Sequence, residues 1–138
     1  MNKIVYDMDT IKFISSFQSL TKTTVKDCIV SENSLLFIVP EGEIGKAIGK
    51  NAENVRRLAN GFKRKIKIVE FSADLLKFIK NAVQPLKIAE IEERDGTVFM
   101  TAPDLQTRGY LIGRGGSSLR QLEEIVKRHF EIKEIKVM

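Results

Sequence analysis

Apolar residues recur along this 138-residue chain with two different periods, and the periods alternate. From Asp9 to Leu20 the spacing is helical. Ile11, Phe13, Ile14, Phe17 and Leu20 share one side, and Asp9 or Thr10 is placed to cap. Thr24–Val30 and Leu35–Val39 read as two strands around a Glu32-Asn33-Ser34 turn. Pro40-Glu41 opens a short helix. A further helix covers Ala52 to Ala59, and Asn60-Gly61 is a stop signal because both residues tolerate the left-handed conformation. Lys65–Val69 alternates apolar and charged residues like a half-buried strand.

The rest of the chain repeats this order. Ser72 is placed to cap a helix through Leu75, Leu76, Phe78, Ile79 and Val83 that ends at Gln84-Pro85. Strands at Leu86–Glu92 and Thr97–Thr101 flank Arg94-Asp95-Gly96, a hairpin signal. Pro103-Asp104 opens the next helix, in step with Pro40-Glu41. A longer helix runs to about His129, and Ile132–Val137 forms the last strand. The predicted order is α-β-β-α-α-β, twice. Two small domains follow, 1–70 and 71–138, each an α+β unit with a three-stranded sheet packed against helices. Domains of this size are marginal alone and are expected to pack together. Almost nothing separates Glu70 from Ser72. So short a linker restricts relative motion and holds two binding surfaces at fixed spacing.

The repeat is sharpest in a glycine cassette. Gly45-Lys46-Ala47-Ile48-Gly49-Lys50-Asn51-Ala52 returns 64 positions later as Gly109-Tyr110-Leu111-Ile112-Gly113-Arg114-Gly115-Gly116. Two glycines match, the isoleucine before the second is kept, and a basic residue follows it. Glycines allow a sharp turn and close approach of a ligand to backbone. The next helix starts inside the loop, so its unpaired N–H groups and its dipole favour an anion there, phosphate above all. Lys50 and Arg114 add a positive charge. Of the flanking apolar residues Ala47, Ile48, Val55, Leu111, Ile112 and Leu119, some belong to the core. The others suit a groove for unstacked bases, narrow enough to prefer a single strand to a duplex.

Charge agrees with such a ligand without requiring it. The 23 basic and 18 acidic residues give a net +5, of which residues 1–70 carry +4 and residues 71–138 carry +1. Arg56, Arg57 and Arg120 either extend a phosphate track or are solvated helix charges. No apolar run approaches the roughly 18 residues of a membrane span. The first nine residues lack a signal-peptide pattern, and Cys28 is the only cysteine. A cytoplasmic protein with no membrane partner is expected.

The segments Ile48-Gly49-Lys50-Asn51-Ala52 and Ile112-Gly113-Arg114-Gly115-Gly116 resemble the Ile-Gly-x-x-Gly signature of KH domains, and the element order resembles the type II arrangement. Two abutted type II KH domains with almost nothing else are most similar to the archaeal NusA-like transcription termination and antitermination proteins. The resemblance covers essentially the whole chain. It implies that these ten residues bind single-stranded RNA, each loop clamping about four backbone nucleotides. It also implies a non-enzymatic role without cofactors, and the transcription machinery as a partner. Bacterial NusA carries an N-terminal polymerase-binding domain for which there is no room here, so direct polymerase contact is not carried over. Ala52 stands where the family has its closing glycine, which implies a weakened or altered first clamp. Other roles for the same surface are ribosome-associated or RNA-processing work, or protein contact with vestigial loops. A monomer is expected.

Enzyme readings lack their parts. Gly113-Arg114-Gly115-Gly116 follows a helix, where a dinucleotide fold needs a strand. Gly45–Lys50 lacks the spacing and hydroxyl of a phosphate-binding P-loop. His129 is the only histidine, which excludes a histidine pair or a histidine metal cluster. Glu92-Glu93 and Glu123-Glu124 read as solvated faces, and the phenylalanines and Cys28 as core.

Overall fold

A computed structural model describes residues 4–138 and divides into two compact units, Val5–Ser72 and Ala73–Met138. The first contains helix α1 (Met8–Thr21), strands β1 (Asp27–Val30) and β2 (Ser34–Val39), and the short helix α2 (Ile44–Ile48). A single 3-10 turn (Lys50–Ala52), helix α3 (Glu53–Phe62) and strand β3 (Lys65–Glu70) complete it. The second contains α4 (Leu75–Val83), β4 (Glu90–Arg94), β5 (Thr97–Thr101), α5 (Leu105–Ile112), a 3-10 turn (Arg114–Gly116), α6 (Ser117–Lys127) and β6 (Glu134–Val137). Both units have the same order and the same three-stranded sheet.

In each sheet the middle strand pairs antiparallel with the strand before it and parallel with the strand after it. In the first, Cys28 faces Phe37 and Phe37 faces Ile68. In the second, Ile91 faces Met100 and Met100 faces Val137. Opposed residues share a face, so Leu35, Phe37 and Val39 turn the inner side of β2 toward the helices. The first core gathers these with Phe17, Cys28, Ala47 and Leu58. Phe17 and Phe37, both fully buried, stack with ring centroids 4.2 Å apart. The second core is built from Phe78, Ile79, Val98, Met100, Leu122 and Val126. Phe99 is not part of it. It lies in register with Glu92 and Lys136 on the other face of the sheet, with the Arg94 guanidinium 4.4 Å from its ring.

Several boundaries differ from the sequence expectation, each for a local reason. Asp7, not Asp9 or Thr10, caps α1 by accepting from the Thr10 N–H at 2.8 Å, and Ile11 is 46% exposed. Asp74 caps α4, while Ser72 is buried ahead of it. Pro40 precedes α2 by a turn closed by Glu43 N–H to the Pro40 carbonyl, and the helix begins at Ile44. Asn60-Gly61 does not stop α3. The helix continues to Phe62, whose ring meets Phe13 edge-on at 5.0 Å, and Lys63 takes the left-handed position at φ +55°. Burying that ring outweighs the roughly 1 kcal/mol a helical glycine costs. Strands β1 and β6 start later than expected, and β4 is shifted from Leu86–Glu92 to Glu90–Arg94, so that Arg94 belongs to the strand and the turn is Asp95-Gly96. His129 lies past the end of α6, buried edge-on against Phe78. Glu123 is no solvated charge, since its carboxylate accepts from the Ile135 N–H at 3.0 Å and ties α6 to β6.

Asp104 caps α5 as Asp7 caps α1, accepting from the Thr107 N–H at 2.7 Å. In both, the backbone hydrogen bond first and the threonine side chain second hold the carboxyl pKa below the ordinary aspartate range. A depressed pKa adds stability above that range and loses it as pH falls through the folded-state value. Asp104→Asn keeps a capping oxygen but cannot titrate. Its thermal midpoint should fall less than the parent's between about pH 6 and about pH 3. In the core, Phe17→Ala should cost about 3–5 kcal/mol in chemical denaturation.

Candidate nucleic-acid interface

The glycine cassettes form the same structure in both units. Helix α2 ends at Gly49, whose N–H bonds the Gly45 carbonyl at 3.0 Å, and α5 ends at Gly113, bonded to Gly109 at 2.8 Å. Gly49 has φ +80° and ψ 170°, and Gly113 has φ +75° and ψ 174°. Only glycine adopts this region without strain. Two left-handed residues follow the basic one. Asn51 and Ala52 have φ +55° and +59°, and Gly115 and Gly116 have φ +61° and +80°. The Ala52 N–H returns to the Gly49 carbonyl and that of Gly116 to the Gly113 carbonyl, both at 3.2 Å. Helices α3 and α6 then leave the loop directly.

Of the expected site residues, the structure brings Ile48–Ala52 together in one loop and Ile112–Gly116 in the other. Lys50, Asn51, Arg114 and Gly115 are exposed, and the four other glycine or alanine positions and both isoleucines are half-buried. Among the described residues, the N–H groups of Lys50, Asn51, Arg114 and Gly115 have no backbone acceptor. Each loop thus offers two consecutive amide donors and a cation at its tip. Of the flanking apolar residues, Ala47 and Leu111 are core. Ile48 and Val55, like Ile112 and Leu119, stay partly exposed beside the loop.

Ala52 does not change the backbone, because it takes the left-handed conformation that Gly116 takes. The cassettes differ instead in their approach. Helix α2 has five residues and no side-chain cap, whereas α5 has eight and the Asp104 cap.

Sequence reasoning missed what lies behind the loops. A methyl group on Gly113 would stand 2.4 Å from Ser118 Oγ and 2.7 Å from the Ser118 amide nitrogen, and one on Gly49 would stand 2.9 Å from Asn54 Nδ2. The loop glycine is therefore also a packing requirement: the start of the next helix backs onto it. Asn54 further donates to the Lys46 carbonyl at 3.3 Å, tying α3 to α2. Asn54 and Ser118 share one offset from the first glycine, the signal that was available in the repeat. Among the described residues no group of three or more histidine, cysteine or acidic side chains could hold a metal, and no helix is long and apolar enough to cross a membrane.

Two α+β units, each with a three-stranded sheet, a core of helices and a glycine loop between helices, are consistent with KH-like domains. No protein-family model matches the chain. It is, however, 32% identical over 142 residues to the probable transcription termination protein NusA of Methanocaldococcus jannaschii, covering 100% of this chain and 77% of that one. The protein of the same name from Thermoplasma acidophilum is 26% identical over 140 residues, covering 99% and 97%. The transcription termination/antitermination protein NusA of Bacillus subtilis is 30% identical over 95 residues, which cover 65% of this chain and 25% of that protein. The crystal structure of APE1850 matches at a TM-score of 0.75 and 30% identity, covering 96% of this chain and 100% of its own. This chain belongs to the archaeal NusA-like family of transcription termination proteins.

The loop geometry ranks substitutions. Gly113→Ala meets backbone nitrogen, and its φ and ψ are closed to alanine, so it should destabilise by about 2–4 kcal/mol. Gly49→Ala meets chiefly a side-chain amide and should cost less. Ala52→Gly removes left-handed strain of about 1–2 kcal/mol, partly offset by added chain entropy, for a net gain of roughly 0.5–1 kcal/mol. Urea denaturation of the three variants checks the order.

Proposed function

We propose that the two units are type II KH domains, 1–70 and 71–138, that bind single-stranded RNA and act in transcription termination or antitermination without catalysing a reaction. The contacts assigned to RNA are Ile48, Gly49, Lys50, Asn51 and Ala52 in the first loop and Ile112, Gly113, Arg114, Gly115 and Gly116 in the second. The observation that carries the reading is the doubled loop: two adjacent amide donors without backbone acceptors, one exposed cation, and half-exposed aliphatic residues alongside. Amides and cation suit a phosphodiester backbone. The aliphatic strip suits bases that have left a stack. The relatives' names supply the process, and the transcription machinery follows as the partner.

Titration with a short single-stranded RNA at several salt concentrations tests this. Affinity should fall with salt, the logarithmic slope changing by about −0.7 per phosphate contact. Gly115 has open space around it, and aspartate is among the residues that tolerate a left-handed position best, so the pair Arg114→Asp and Gly115→Asp should fold, at a cost of about 1–2 kcal/mol in left-handed strain. It should lower affinity at least about tenfold. Binding equal to the parent's would remove the second loop from the site. The shared backbone at Ala52 leads us to expect a comparable loss from Lys50→Asp with Asn51→Asp.

A further inference from the structure

We propose that Arg56 and Arg120 are positioning residues that hold the loops in shape from behind, and that neither contacts RNA phosphate. Arg120 Nη1 donates to the Gly115 carbonyl at 2.8 Å, and Arg56 Nη1 donates to the Asn51 carbonyl. Both reach back five residues, across the first turn of the helix that leaves the loop. The carbonyl in question belongs to the same peptide unit whose N–H, on Ala52 or Gly116, donates to the carbonyl of the first loop glycine. One peptide plane in each loop is therefore fastened at both ends.

That plane needs fastening. In the first loop it joins Asn51 and Ala52, non-glycine residues of positive φ that persist there only where the surroundings impose it, and in the second it joins Gly115 and Gly116, which are free to leave that conformation unless held. A guanidinium supplies a charge-assisted hydrogen bond, roughly twice as strong as a neutral one. It also offsets the partial negative charge of a carbonyl that would otherwise lie bare beside the proposed phosphate. The neighbouring arginine is engaged elsewhere. Arg57 pairs with Glu53 at 2.7 Å, which occupies the one acidic group in α3.

The brace also bears on the closing loop position. A methyl group on Gly116 would lie 3.1 Å from Arg120 Nη1. Glycine there gives room to the arginine as well as to any ligand. In the first loop Ala52 carries that methyl, and the Arg56 contact is still made.

Arg120→Ala places a strong helix former at an exposed helical site, so the variant folds. In the free protein, amide hydrogen exchange at Gly116 and Ser117 should quicken about tenfold, as loss of a charge-assisted bond lets the loop open. Arg57→Ala should leave exchange at Ala52 and Glu53 as it is, whereas Arg56→Ala should quicken it. Exchange unchanged by Arg120→Ala overturns the brace. The second arm rests on the RNA-binding reading. Arg120→Ala should weaken RNA binding with the salt slope unaltered, and a slope shallower by about 0.7 would show a direct phosphate contact and overturn the assignment. If the parent protein binds no RNA at any salt, the RNA-binding reading fails while the exchange arm still decides the brace.

Discussion

A parallel strand pair cannot be closed by a tight turn, and this constraint governs both units. Strand β3 runs beside β2 in the same direction, and β6 beside β5, so the chain must return along the sheet before the next strand begins. The return is made by two short helices with a corner between them, and the glycine loop is that corner. Its position follows from topology: it must stand where the outgoing helix gives way to the incoming one. The helices flanking it are held by the cores through Ala47 and Leu58 in one unit and Leu111 and Leu122 in the other. A loop placed at an obligatory corner gains a rigid mount on both sides.

The corner is tight enough to select residues for shape alone. At Gly49 and Gly113 the backbone conformation and the approach of the following helix both exclude a side chain. These glycines would be needed even if nothing bound there. The positions that stay open to a ligand are the exposed pairs Lys50-Asn51 and Arg114-Gly115. The two copies keep a basic residue at the first of these positions and differ at the second, Asn51 against Gly115.

Much of this was legible in the sequence. Period-two and helical spacing located most strands and the longer helices, while α2 and α5 were read from Pro40-Glu41 and Pro103-Asp104, and β4, which has no fully buried residue, starts four residues later than its pattern suggests. The Asp95-Gly96 turn was readable because both residues occupy positive φ, as a two-residue hairpin requires. What failed was punctuation. Asn60-Gly61 reads as a stop on local chemistry, but Phe62 beyond it has a place in the core, and tertiary burial overrode the local signal. Asp7 and Asp74 do not stand out as caps because two or more capping residues lie close together in each place, and only the geometry of entry chooses among them. At the candidate site the loop residues were evident from glycine spacing. Asn54 and Ser118 were not, and Arg56 and Arg120 stood out as charges on a helix but not as donors to the loop carbonyls, since such contacts run from helix to backbone. Their one trace is an equal offset in both copies.

That equal offset says where the copies have been free to drift in length. From Gly49 to Arg56 and from Gly113 to Arg120 the count is the same. Before it, Gly49 follows the end of β2 by ten residues, whereas Gly113 follows the end of β5 by twelve. After it, β3 starts nine positions beyond Arg56, and β6 starts fourteen positions beyond Arg120. An inserted residue inside the eight would swing the arginine about 100° around the helix and away from the carbonyl it holds. Outside them it merely lengthens a helix or a surface turn. The cassette behaves as a part of fixed gauge, and all the slack between the copies lies on either side of it.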